Sequence, residues 1–199
     1  MMARMTALLG LLLAAAAPAG AQVPAAPVTA AQSNVEMREM FDADQAARLK
    51  PTDIDWTVVA RQDETRKQRT RALLDAGALN TADDYYRAAF IFQHGGSPQD
   101  YLMAHALAVA ATAKGHPEGA WIAAASLDRY LQNIGQKQIY GTQYLTPNGG
   151  ATTQDPYDRT LVPDALRQAV GVPNQVDQEA RRMDIEASNK QTRERKAAK

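Results

Sequence analysis

The sequence predicts a mostly α-helical protein: an antiparallel helix stack with one short β-hairpin or extended loop near 138–155. Three observations predict it. Between Asn34 and Gly171, proline and glycine cut the chain into segments of helical length, several opening on a capping residue and closing on a glycine. Inside those segments apolar residues recur at three- and four-residue spacing, which puts them on one helical stripe. The β-prone residues gather in one stretch, Gln138 to Tyr144, followed by the turn signal Pro147-Asn148-Gly149-Gly150.

The chain opens with the three parts of a secretory signal, so 1–21 is expected to be a signal peptide. Arg4 supplies the positive start, and Leu8 to Ala17 form an apolar run too short for a bilayer core of ~30 Å. Ala19-Gly20-Ala21 is the small-x-small cleavage site, which places the mature start at Gln22. Residues 22–33 are Ala/Pro-rich without periodicity and read as a flexible linker. A helical domain is expected over 34–172 and a charged helical or disordered tail over 173–199.

The helices are justified one by one. Asn34 caps a helix over 35–49 with Met37, Met40 and Phe41 on one side, ended by Pro51. Thr52 or Asp53 caps a second, long helix to Asp75, closed by Gly77. Its apolar stripe of Trp56, Val59, Ala60, Leu73 and Leu74 also carries Asp63, Arg66 and Thr70. Thr81 caps a third, to Gln93, with Asp83 and Asp84 complementing the dipole of its first turn. Ser97 and Pro98 start a fourth, to Lys114, as N-cap and N1. Pro117 opens a fifth, ending at Gly135. The fourth and fifth are apolar almost all round, which predicts burial between neighbours and makes helices three to five the centre. Pro163 starts a small helix that Gly171 closes. The last ten residues hold five basic groups against one Glu, a solvated tail or a contact for an anionic surface.

Composition narrows the function. The formal charge is zero, which gives nucleic-acid binding no electrostatic support. No cysteine is present, so disulfides, thiolate chemistry and zinc–thiolate sites are out. No P-loop, G-x-G-x-x-G, G-x-S-x-G or HExxH pattern occurs, and no cofactor is expected. The mature chain has no second apolar stretch of membrane length, and a periplasmic or secreted location follows from the leader.

Two resemblances emerge from these motifs. The run Pro98-Gln99-Asp100-Tyr101, Ala110-Ala111 and Gly115-His116-Pro117-Glu118 resembles a tetratricopeptide-related repeat of the Sel type, covering little more than one unit. A solenoid needs about three units. The order Trp56, Asp63-x-x-Arg66, Gln93-His94-Gly95, Leu127-Asp128-Arg129 and Tyr140-Gly141-Thr142-Gln143 is similar to a family of uncharacterised bacterial proteins. The first resemblance implies tetratricopeptide-like hairpins and raises a protein- or peptide-binding role; the second implies a fold and no activity.

The residues that can carry chemistry are few. The histidines, at the eleven-residue spacing 94, 105 and 116, would share a face of one continuous helix, but the breaks at 95–97 and 115 divide them, so no metal site is expected. His94 sits at a helix C-terminus, where the dipole favours a cationic ring; it is a capping group or an anion contact. His105 reads as a core histidine and His116 as the repeat's turn histidine. Asp63 and Arg66, one turn apart, are structural ion-pair candidates. Arg129 could extend that pair through Asp63, and Asp128 through Arg66 or a histidine. His94, Asp128, Arg129, Tyr140, Thr142 and Gln143 are the ligand-binding candidates, Gly141 allowing close backbone approach. Two functions are carried forward: an exported module binding an envelope protein or peptide, and a hydrolase or small-ligand site using the His/Asp/Arg/Gln cluster.

Overall fold

The computed structural model describes residues 32–49 and 54–197. Among them are seven α-helices: α1 (Val35–Arg48), α2 (Trp56–Asp75), α3 (Ala82–Gln93), α4 (Pro98–Ala113), α5 (Gly119–Asn133), α6 (Asp164–Ala169) and α7 (Gln175–Ala197). The mostly helical stack is the architecture the punctuation predicts. Helices α3, α4 and α5 pack in succession as helical hairpins, with α1 and α2 against α3.

The helix ends show why these residues form these elements. Asn34 Oδ1 accepts the Met37 amide at 2.9 Å to cap α1. Thr81 and Asp84 form a capping box on α3, and Ser97 and Asp100 form another on α4. Asp84 does more: its Oδ1 accepts the Asn34 amide at 2.7 Å, so one buried carboxylate ties the starts of α1 and α3 together. The cap of α2 is Asp55, whose side chain accepts from the Thr57 and Val58 amides; Pro51, Thr52 and Asp53, the expected breaker and caps, lie outside the described residues. Helix α5 starts two residues beyond Pro117, with no side-chain cap.

The core lies between α1 to α5, around Met37, Leu73, Leu79, Ile91, Phe92, Leu107 and Ile122, with Ala88, Ala89, Ala104, Ala108 and Ala123 as small spacers. Gly119 is one such spacer by necessity. A Cβ there would stand 2.8 Å from the Thr112 backbone nitrogen, so glycine sets the closeness of α4 and α5.

Two expectations are corrected. Trp56, placed on the buried stripe of α2, is 62% exposed, because the stripe begins a turn later at Val59. Neither α4 nor α5 is buried all round: on α5 Trp121 is exposed and Tyr130 and Leu131 are half-buried. On α4 Leu102 and Val109 are 47% and 49% exposed, since α3 and α5 cover two of its sides and the third is left largely open, with Tyr140 and Val170 only edging the concavity beside Val109.

Beyond α5 the backbone is held by single bridges. Leu145 and Thr153 exchange both backbone hydrogen bonds at 2.8 Å around a 3-10 turn at Pro147–Gly149, a minimal hairpin. Gln138 pairs with Tyr157 in a parallel bridge. Helix α7 docks on this loop through Arg182 to the Thr152 carbonyl at 2.9 Å, Glu186 to the Thr152 amide, and Asn189 to Thr146.

Candidate functional site

The first polar cluster is an ion-pair knot where α1, α2 and α3 meet. Asp44, fully buried on α1, bonds Arg48 at 2.7 Å and His94 Nδ1 at 3.0 Å, with Arg66 at 3.6 Å. Asp63 takes Arg66 at 2.5 Å and Arg48 at 2.6 Å. Burial works against the charge on Asp44, but the hydrogen bond from His94 and the positive field of His94, Arg48 and Arg66 outweigh it and hold the carboxyl below its ordinary range. Two carboxylates thus knit three helices. The Asp63–Arg66 pair is present, but its extension runs to α1 and not to α5: Arg129 does not reach Asp63, and Asp128 bonds neither Arg66 nor a histidine.

The second cluster is built around Asp128. This fully buried side chain accepts four hydrogen bonds: the Ile139 and Tyr140 amides on one oxygen, at 2.8 and 3.0 Å, and the Thr142 amide and hydroxyl on the other, at 2.9 and 2.8 Å. Three buried glutamines complete the frame. Gln138 bonds the backbone of Gln143 in both directions and the Gln154 carbonyl. Gln154 donates to the Gly141 carbonyl at 2.6 Å, and Gln178 to the Tyr140 carbonyl at 2.9 Å. Arg167, fully buried beneath, donates to Asp164 at 3.1 Å and to the Tyr140 and Ile139 carbonyls. Gly141 has φ +80°, and its open side is filled by Gln178 and Tyr157 of this same chain. The Tyr140–Gln143 segment is therefore a braced loop whose backbone groups, with the Thr142 and Gln143 side chains, are held by partners within the chain, while the Tyr140 side chain lines a concavity.

Of the surface concavities among the described residues, two bear on the candidate residues and the open side of α4. The uncovered side of α4 presents Leu102, Ala106, Val109 and Ala113, one stripe at helical spacing. It continues into a concavity of about 390 Å³ lined by His105, Val109, Ala113, Ala120, Ala124 and Val170 among others. His105, which lines this concavity, donates from Nδ1 to the Ala123 carbonyl at 2.9 Å. The second feature is a smaller cavity of about 230 Å³, lined by Tyr101, Arg129, Gln132, Asn133, Gln143 and Leu145.

The predicted site residues thus separate. His94 belongs to the ion-pair knot; Asp128, Tyr140 and Thr142 belong to the braced loop; Arg129 and Gln143 share the smaller cavity. The histidines make three unrelated sets of contacts. His116 stacks on Tyr86 at 3.8 Å, and its Nδ1 accepts the Glu118 amide. Sequence reading missed Asp44, although it lies four residues after Met40 and so on the apolar stripe of α1, the one available signal. It also missed Gln138, Gln154 and Gln178, whose long separations leave no local pattern. Neither a scan against protein-family models nor comparisons with curated proteins and with solved structures found a match to this chain.

Proposed function

We propose that the chain is an exported, non-enzymatic binding module of the cell envelope, periplasmic or secreted, that takes an apolar helical segment of a partner protein against the open side of α4. The carrying observation is the stripe Leu102, Ala106, Val109 and Ala113 running into an apolar concavity. Alternating large and alanine positions suit a second helix, because the alanines admit its ridge and the larger residues fill its grooves. An apolar strip with polar surroundings is a typical interaction surface. The leader pattern of 1–21 supports export, and the resemblance of 87–121 to a Sel-type unit supports protein binding.

The hydrolase reading receives less support. Both oxygens of Asp128 are engaged by the loop, and His94 is engaged by Asp44, so these two candidates do not pair as acid and base across a cleft.

A photoreactive residue at Ala106 tests the proposal in intact envelopes. A discrete adduct is expected from position 106, absent from a control at exposed Arg71 and lost on Val109→Asp. Equal labelling from both positions contradicts it, as does a self-adduct of the chain, which would make the stripe a dimer face.

A further inference from the structure

Arg129 is set apart from every other arginine among the described residues. Those withdrawn from solvent all have acceptors, and those without acceptors are exposed. Arg129 is withdrawn and has none: it makes no ion pair or hydrogen bond, and its Nε is sealed from solvent unsatisfied. Gln132 Nε2, in the same cavity, is likewise buried without a partner. Burial pulls the Arg129 pKa below its ordinary value, with Tyr101 opposing and Arg48 adding to the fall. The Arg48 field comes from the neighbouring knot, where Arg48 and Arg66 already use Asp44 and Asp63. Asp44 and Asp63 are thus taken by Arg48 and Arg66, and neither reaches Arg129.

From these observations we infer that the cavity of Arg129 is a binding site for a small carboxylate, the guanidinium forming the fork and Gln132 adding an amide donor. A half-buried cation with a sealed, unsatisfied Nε and no acceptor gains from an arriving anion. The lining offers hydroxyl and amide groups from Tyr101, Gln132 and Asn133 and contains no carboxylate to compete, the Gln143 amide being already bonded to Ala125 and Thr142. A singly charged planar anion fits better than a phosphate dianion. The guanidinium matches a carboxylate in a two-pronged bond, and the cavity lies in the last turns of α5, where the helix dipole opposes added negative charge. The volume of about 230 Å³ equals roughly seven waters at ~30 Å³ each, room for a carboxylate on a short stem. The site stands apart from the α4 stripe and does not depend on the partner proposed for it.

Titration calorimetry and melting curves of the full mature chain test this, with sodium acetate, sodium succinate and sodium phosphate against sodium chloride at constant ionic strength. Acetate or succinate is expected to bind and raise Tm, and Arg129→Met to weaken binding at least tenfold while raising the Tm of the unliganded protein. Tri-alanine with a free or an amidated C-terminus separates the sources. Tighter binding of the free peptide than of succinate assigns a chain terminus, and the reverse assigns a free acid. Absence of carboxylate binding overturns the inference, as does equal binding by Arg129→Met or a preference for phosphate. If Arg129→Met fails to fold, Gln132→Leu serves: a severalfold loss of affinity supports the site, and unchanged affinity overturns it.

Discussion

Two aspartates account for much of the order around the candidate residues. Asp44 holds α1, α2 and α3 in one knot, so Asp44→Ala leaves Arg48 and Arg66 short of a counter-charge in a buried setting. The expected loss is about 3–5 kcal/mol, read from urea denaturation. Its depressed carboxyl also fixes a pH dependence. A folded-state pKa below the unfolded value contributes stability above about pH 4, lost as pH falls through the folded pKa. Wild-type stability should therefore drop steeply below about pH 4, with a shallower acid limb in Asp44→Asn; parallel acid limbs would remove Asp44 from the account. Asp128→Ala strands three buried backbone amides and should cost about 3 kcal/mol, with rapid amide exchange at 139–142 as its local mark. An unchanged melting temperature would contradict the brace.

The same logic at the level of elements concerns close approaches. Gly119→Val forces α4 and α5 apart at Thr112, and a loss of about 1–3 kcal/mol is expected from overpacking, seen as a lowered urea midpoint at constant slope. Helix α7 depends on the 138–155 loop and the loop on α7, because Gln178 sits inside the loop frame. Gln178→Ala should open both to limited proteolysis together while α1 to α5 stay protected. The helices were legible from local chemistry. Asn34, Thr81, Ser97 and Pro98 start them, and Gly77, Gly115, Gly135 and Gly171 stop them in left-handed conformations. Such signals act within a turn of the chain and survive any tertiary context. The pairings of Asp128 and the glutamines were not legible, because they join residues up to 38 positions apart whose meeting depends on helix rotation. A quarter-turn separates Asp128 from Arg129, and it sends one side chain to the loop and the other to a cavity.

Across the whole molecule, polarity is sorted by position. The polar side chains that look catalytic in sequence are used inside, as knot and brace, and the apolar residues that look like core are partly left outside on α4. Counting apolar residues along α4 predicted burial because sequence shows how many faces are apolar and not how many neighbours arrive. The proposed working surface is this open side of α4. Hydroxyl-radical footprinting of the chain in its native envelope, against the purified protein, tests it most directly. Leu102 and Val109 should lose labelling in the envelope while Leu161 and Val176, exposed elsewhere, keep theirs. Equal labelling of Leu102 and Val109 in both settings would contradict the claim.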